Sequence, residues 1–199
     1  MLLFFHHSIP HYCFRNVMAT YGRYPLTIDY GKGCNLFDME GKKYLDFAAG
    51  IATCCLGHAN PALQKAVSDQ MGRVNHVSNL YYIPEQGKLA KWLVTNSCAD
   101  KVFFCNSGAE SNEAAIKLAR KHAHTKLGIE YPVIITALQS FHGRTLTTIT
   151  ATGQPKYQVG FYMCGCYICV RYHLSSIIYH LSSIIYHLSS ITYQGSICG

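Results

Sequence analysis

Charge is scarce in this sequence, and acidic charge is scarcest toward its end. Asp, Glu, Lys and Arg make up 14% of the 199 residues, about half the share usual for a soluble chain. All ten acidic residues lie at or before Glu130 and all six prolines at or before Pro155, and beyond Phe161 the only Lys or Arg is Arg171. The two ends therefore follow different compositional rules. Dense basic runs are also missing. The Lys and Arg residues are scattered, so the net charge of +7 reads as a solvated face. Neither a reading helix nor an aromatic stacking platform is found, which excludes a nucleic-acid partner. No apolar run is long enough to span a bilayer, so no membrane partner is expected. Met1 to Phe14 begins Leu2-Leu3-Phe4-Phe5-His6-His7 without a basic start. It is either unrelated sequence or the damaged remnant of a targeting segment.

Cysteine, by contrast, is abundant, with ten residues. Cys13, Cys34, Cys54, Cys55, Cys98 and Cys105 have no framework spacing, and the adjacent pair Cys54-Cys55 is ill suited to a disulfide. They read as reduced core thiols in a reducing compartment. Cys164, Cys166 and Cys169, with His173 beyond, match a metal site only by counting. Their spacing fits no zinc pattern, and no metal is expected.

Between these ends the local signals are ordinary. Leu26 to Tyr30, Cys34 to Phe37 and Lys43 to Phe47 alternate and are separated by turn residues, which predicts an antiparallel meander. Asn60-Pro61 predicts a capped helix continuing through Leu63, Ala66, Val67, Gln70 and Met71. A second helix is predicted from Pro84 to Thr95, with Leu89, Ala90 and Leu93 on one face. Lys101 to Cys105 reads as a buried strand, Gly108 to about His124 as a helix, and Tyr131 to Thr136 as another buried strand. Phe141 to Thr150 reads as a loop leading into a short helix. Strand, helix, strand implies an α/β fold with a parallel sheet.

The tail repeats itself. Tyr172-His-Leu-Ser-Ser-Ile-Ile178 recurs unchanged from Tyr179 to Ile185, and with one change from Tyr186 to Thr192. The period suggests a coiled coil, but the heptads are few and carry no flanking charges. Duplication or translated non-coding sequence explains the near-identity better than packing does.

The stretch richest in chemistry is Asn106-Ser107-Gly108-Ala109-Glu110, where the first buried strand runs into the long helix. Ser107 and Glu110 form a capping-box pattern, and Gly108 allows close approach to the backbone. Free N–H groups and the positive end of the helix dipole would then suit a phosphate. After the next strand comes Ser140-Phe141-His142-Gly143-Arg144-Thr145. An aromatic there can lie over a planar ring, and an arginine can hold a carboxylate through two parallel hydrogen bonds. Together the two stretches form a constellation for phosphate, ring and carboxylate.

Ser107 to Arg120 and Ser140 to Thr145 resemble the class-III pyridoxal-phosphate-dependent aminotransferases. Supporting stretches are Thr20 to Pro25, Tyr44 to Ala52, Leu56 to His58, His76 to Tyr82 and Ala151 to Tyr157. The likeness covers about Asn16 to Tyr157 and is strongest to the acetylornithine type in its cyanobacterial or plastid-derived form. It implies a fold-type I transferase, present here as an N-terminal segment and the first strands of the large domain's parallel sheet, hence incomplete. Four segments follow: 1–15 unmatched, 16–98 the N-terminal segment with the meander and helices, 99–160 the start of the cofactor-binding domain, and 161–199 an aberrant tail.

The resemblance implies pyridoxal 5'-phosphate as cofactor. Ser107, Gly108 and Ala109 would hold its phosphate, Phe141 would stack on its ring, and Arg144 would grip the substrate α-carboxylate. Tyr82 and Asn79 are implied for the substrate pocket. His142 and His58 are read as structural. The reaction implied moves the amino group of N-acetylornithine to 2-oxoglutarate, in a homodimer that is cytoplasmic, or plastid or mitochondrial in a eukaryote. The family's Schiff-base lysine and the acidic partner of the pyridine nitrogen have no counterpart here, because Lys156, the last lysine, stands in a different run. The chain is therefore expected to be inactive alone and poorly folded. The alternatives are a non-catalytic fragment that binds the cofactor or dimerises, and another class-III enzyme acting on ornithine or succinylornithine.

Overall fold

Asp38 sets the geometry of the first turn. Its carboxylate accepts the N–H groups of Glu40 and Lys42 at 3.0 and 2.8 Å, and the Tyr44 hydroxyl at 2.8 Å. The Tyr44 hydroxyl, helped by the two backbone bonds, holds the Asp38 carboxyl below its usual range. The result is a tight reversal between β2 (Asn35–Asp38) and β3 (Lys43–Leu45), with β1 (Ile28–Lys32) on the far side of β2. All pairings are antiparallel, with Tyr30 opposite Phe37 and Leu36 opposite Tyr44. The Tyr30 and Phe37 rings stack at 4.5 Å and 6°. The predicted meander is present, its strand ends shifted by one or two residues.

The computed structural model describes residue 12, residues 15–161 and the backbone of 168–170. It divides into two units, Met1–Tyr82 and Ile83–Gly199. The repeats from Tyr172 to Thr192, the cysteines Cys164 and Cys166, and nearly all of the first 14 residues lie outside the described residues.

Past β3, the first unit contains a left-handed turn, Ala49–Ala52, with φ of 46°, 63°, 59° and 59° along it. Three of these residues are not glycine, and each pays roughly 1–2 kcal/mol for that hand. Asp46 anchors the entry, accepting the N–H groups of Ala48 and Ala49 at 2.9 Å. His58 Nε2 lies 2.7 Å from Asp46 Oδ2, and the His58 backbone pairs with Gly33. The imidazole, followed by the Ala49 N–H, keeps the Asp46 carboxyl below its ordinary range. Helix α1 (Pro61–Met71) follows, capped by the Asn60 side chain on the N–H groups of Ala62 and Leu63, as predicted.

The second unit starts with α2 (Pro84–Thr95) and α3 (Gly108–Leu127), the latter ended by Gly128 at φ 68°. Then come β4 (Ile134–Thr136), α4 (Leu146–Ala151), α5 (Pro155–Gln158) and β5 (Ile168–Val170). The two strands pair in parallel, Ile134 opposite Ile168, so this unit is α/β with a parallel sheet. The partner of β4 is not the one expected. Residues 101–105 alternate in exposure as a strand would, but no ladder forms along them among the described residues. A strand is defined by its neighbour's hydrogen bonds, which alternation alone cannot supply. The neighbour that does pair with β4 lies in the stretch assigned to the tail.

The buried centre of this unit is small and largely hydroxylic. Thr148 and Thr152 are fully buried, beside Ile149 and Ala151. The cysteines need correcting as well. Cys34, Cys54, Cys55, Cys98 and Cys105 are free, but all are exposed except the half-buried Cys54, so they are not core thiols. They sit in turns and unpaired segments.

Candidate functional site

The start of α3 is built by reciprocal capping. Ser107 Oγ accepts the Glu110 N–H at 3.2 Å, and the hydroxyl donates to Glu110 Oε2 at 3.2 Å. Glu110 Oε2 also accepts the Asn106 N–H at 2.7 Å, one residue earlier than in a standard capping box. That bond, first among several, holds the Glu110 carboxyl below its usual range. The Ser107 hydroxyl is thus committed to Glu110, leaving the Gly108 and Ala109 N–H groups as the donors without a partner among the described residues. Nothing lies within 4 Å of where a Cβ on Gly108 would stand. The helix therefore begins in an open cradle, with two aligned N–H groups and the positive end of a 20-residue helix.

The loop from Ser140 to Thr145 is fastened to this helix at three places. Gly143, at φ 127°, lies so near α3 that an added Cβ would stand 2.7 Å from the Ala109 Cβ. Asn112 Nδ2 donates to the His142 carbonyl at 2.8 Å. The Thr145 hydroxyl donates to Glu113 Oε1. From behind, the His142 N–H donates to Thr152 Oγ1 at 3.0 Å, and Thr145 Oγ1 meets Thr148 Oγ1 at 2.7 Å. Ser140 receives the Gly153 N–H at 3.2 Å and its carbonyl accepts Gln154 Nε2 at 3.0 Å. His142 takes part through its backbone, in keeping with a structural reading.

Phe141 and Arg144 share a neighbour, Tyr157 on α5. The Phe141 ring meets Tyr157 edge-on at 6.3 Å and 79°, and the Arg144 guanidinium lies 5.3 Å from the centre of the same ring. Phe141 is 57% exposed, so much of its ring is open to a ligand. Lys156 Nζ lies over the Tyr157 ring at 4.7 Å. Ser107, Gly108, Ala109, Phe141 and Arg144 thus fall in one unit and on two fastened segments. Asn79 and Tyr82 belong to the first unit, exposed in the irregular stretch ahead of α2.

Sequence reasoning missed Asn112, Glu113, Thr148, Thr152 and, as a contact residue, Tyr157. The signal was the threonine-rich run from Thr145 to Thr152, unusual for a segment placed in a core. A groove of about 1000 Å³ runs along α3 past Phe103, Ala114, Leu118 and Pro132. Helical spacing puts Ala114 and Leu118 on the side of α3 opposite Ala109, Asn112 and Glu113. That groove is separate from the anion cradle.

Comparison with known proteins gives the family. The aminotransferase class-III family profile matches residues 17–183, past the Tyr157 at which the sequence likeness fades. Acetylornithine aminotransferase of Synechocystis sp. is 72% identical over 146 residues, covering 73% of this chain and 34% of its own. The crystal structure of N-acetylornithine aminotransferase from Stenotrophomonas maltophilia is 42% identical, with a TM-score of 0.58, over 63% of this chain and 35% of that one. The ornithine aminotransferase of Toxoplasma gondii, seen with partial occupancy of PLP at its active site, shares the fold at a TM-score of 0.80 and 24% identity, over 84% of this chain and 40% of that one. The chain spans about a third of the length of the curated relatives it matches. A cradle for an anion, an exposed ring and an arginine on a loop fastened to it, and a profile match over most of the sequence lead to one conclusion: the chain belongs to the class-III aminotransferases.

Proposed function

We propose that this chain carries the cofactor-phosphate and carboxylate-binding part of an aminotransferase that moves the amino group of N-acetylornithine to 2-oxoglutarate. The observation that carries the reading is the fastening of Phe141 and Arg144, through Gly143 and Asn112, to the helix that presents the free N–H groups of Gly108 and Ala109. The residues present fit pyridoxal 5'-phosphate. Open space at Gly108 admits a phosphate against the backbone, and the exposed face of Phe141 admits a pyridine ring. When bound, the cofactor would supply an electron sink for breaking a bond at the substrate carbon that carries the transferred amino group. The protein's part is orientation. Gly108 and Ala109 hold the phosphate, Phe141 fixes the plane of the ring, and Arg144, steadied by Tyr157, receives the α-carboxylate.

No lysine of the chain stands in the family's covalent context, and Lys156 is occupied with the Tyr157 ring. The binding steps are therefore assigned to this chain and the proton transfer is not. The substrates are an amino acid and a 2-oxo acid, and the assembly is a homodimer, as the resemblance implies. No helix among the described residues is long and apolar enough to cross a membrane. The likeness to cyanobacterial enzymes supports a cytoplasmic setting, or plastid or mitochondrial in a eukaryote.

The test is a titration of the purified chain with pyridoxal phosphate, followed by borohydride reduction and mass spectrometry. Saturable binding, weakened at least tenfold by Phe141→Ala, without a stoichiometric adduct at Lys156, is the expected result. Stoichiometric labelling of Lys156 would overturn the division of roles, and absence of saturable binding would overturn the site.

A further inference from the structure

Asn112 and Glu113 have no part in holding the ligand in the reading above, yet they are the polar side chains of α3 that reach the loop carrying Phe141 and Arg144. Asn112 is half-buried and spends its amide on the His142 carbonyl at 2.8 Å. Glu113, also half-buried, accepts the Thr145 hydroxyl, which in turn meets Thr148. The two bonds bracket Gly143 and Arg144, so the loop is held on both sides of the one residue whose missing Cβ lets it rest on Ala109. Other fastenings of the loop, from Thr152, Gly153 and Gln154, come from beyond α3 and do not set its distance from the helix start. Phe141 and Arg144 both rest against Tyr157, which comes from α5 and not from the helix that carries the cradle. The hydrogen bonds that tie their loop to the helix of the anion cradle come from Asn112 and Glu113.

Resting on the proposed cofactor site, we infer that Asn112 and Glu113 are positioning residues that set the spacing between the phosphate cradle and the ring-and-carboxylate loop. A ligand that touches the cradle alone does not sense this spacing. A ligand that reaches from the cradle to Arg144 does, because a small misplacement of the reacting groups erodes the advantage of holding them together.

The experiment uses the full chain and its Asn112→Ala, Glu113→Ala and Glu113→Gln variants, with two readouts. The first is amide hydrogen exchange of residues 140–145 without ligand. The alanine variants are expected to exchange at least tenfold faster there while residues 148–152 stay unchanged. Glu113→Gln, which still offers an acceptor to Thr145, is expected to restore protection. The second is affinity for two probes, inorganic phosphate and a reduced phosphopyridoxyl–amino acid conjugate. Phosphate affinity is expected to stay within twofold in every variant, and conjugate affinity to fall about tenfold in the alanine variants only. Unchanged exchange at 140–145 overturns the inference, as does an equal loss of both probes, which would place these residues in the cradle itself. A parent chain that binds neither probe refutes the cofactor site instead, and the exchange measurement alone then decides the fastening.

Discussion

At the scale of single residues, the site depends on contacts without slack. Gly143 is replaceable by nothing larger. Gly143→Ala brings a methyl group against Ala109 and the Thr148 hydroxyl, and about 1–3 kcal/mol of overpacking is expected, read as faster amide exchange over residues 140–152 and loss of the Phe141–Tyr157 contact. Thr152 makes the complementary case. Its hydroxyl accepts the His142 N–H and donates to the Thr148 carbonyl at 2.9 Å. Thr152→Val keeps the shape and leaves the part-buried His142 N–H without its acceptor, at an expected cost of about 1–3 kcal/mol. Thr152→Ser should cost less, read as a smaller gain in amide exchange at His142. These residues were hard to read in advance. Ser107, Gly108, Phe141 and Arg144 carry recognisable chemistry for a ligand, whereas Asn112 and Thr152 bond to backbone from other segments, and sequence spacing does not reveal which segments will meet.

At the scale of elements, the legible parts were those fixed by local rules. The Asn60 cap, the Pro61 and Pro84 starts, the Ser107 cap and the meander all follow from neighbours within a few residues, and all are present. The strand expected at 101–105 and the true partner of β4 depend on distant pairing, and there the local reading failed. Ser107→Ala tests a local rule directly. It removes the acceptor of the Glu110 N–H and should cost about 1 kcal/mol, typical of a lost cap, visible as a loss of helical signal in circular dichroism.

The Asp46–His58 pair gives the first unit an acid dependence. Because the Asp46 carboxyl is lowered on folding, its stabilisation is complete above the ordinary carboxylate value, about 3.9, and is lost as pH falls through the lowered value. His58→Ala removes the largest cause of that lowering. The Asp46 titration, followed by carboxyl carbon shifts in nuclear magnetic resonance, should move upward toward the ordinary range.

At the scale of the whole chain, burial is the dominant fact. Among the described residues only Ile149 and Ala151 are buried hydrophobics, while Phe47, Leu80, Phe103 and Leu118 are 91%, 83%, 71% and 70% exposed. Apolar surface left in water contributes nothing to folding and invites association. The purified chain is expected to bind a hydrophobic dye strongly, to melt without a sharp cooperative transition and to aggregate as concentration rises. A sharp melt and a single small species on size exclusion would contradict this. The compositional break and the low charge of the tail pointed the same way, because a chain poor in charge has little to keep exposed apolar surfaces apart.

The turn at Ala49–Ala52 has a backbone of the hand that mirror-image amino acids prefer. D-alanine placed at Ala49 or Ala52 by chemical ligation should fit this stretch better than the natural enantiomer. Glycine at Ile51, indifferent to hand, should relieve part of the same strain. Replacements that disrupt nearly any other short turn are thus expected to strengthen this one, and chirality, rather than size or polarity, is the property by which substitutions here will sort.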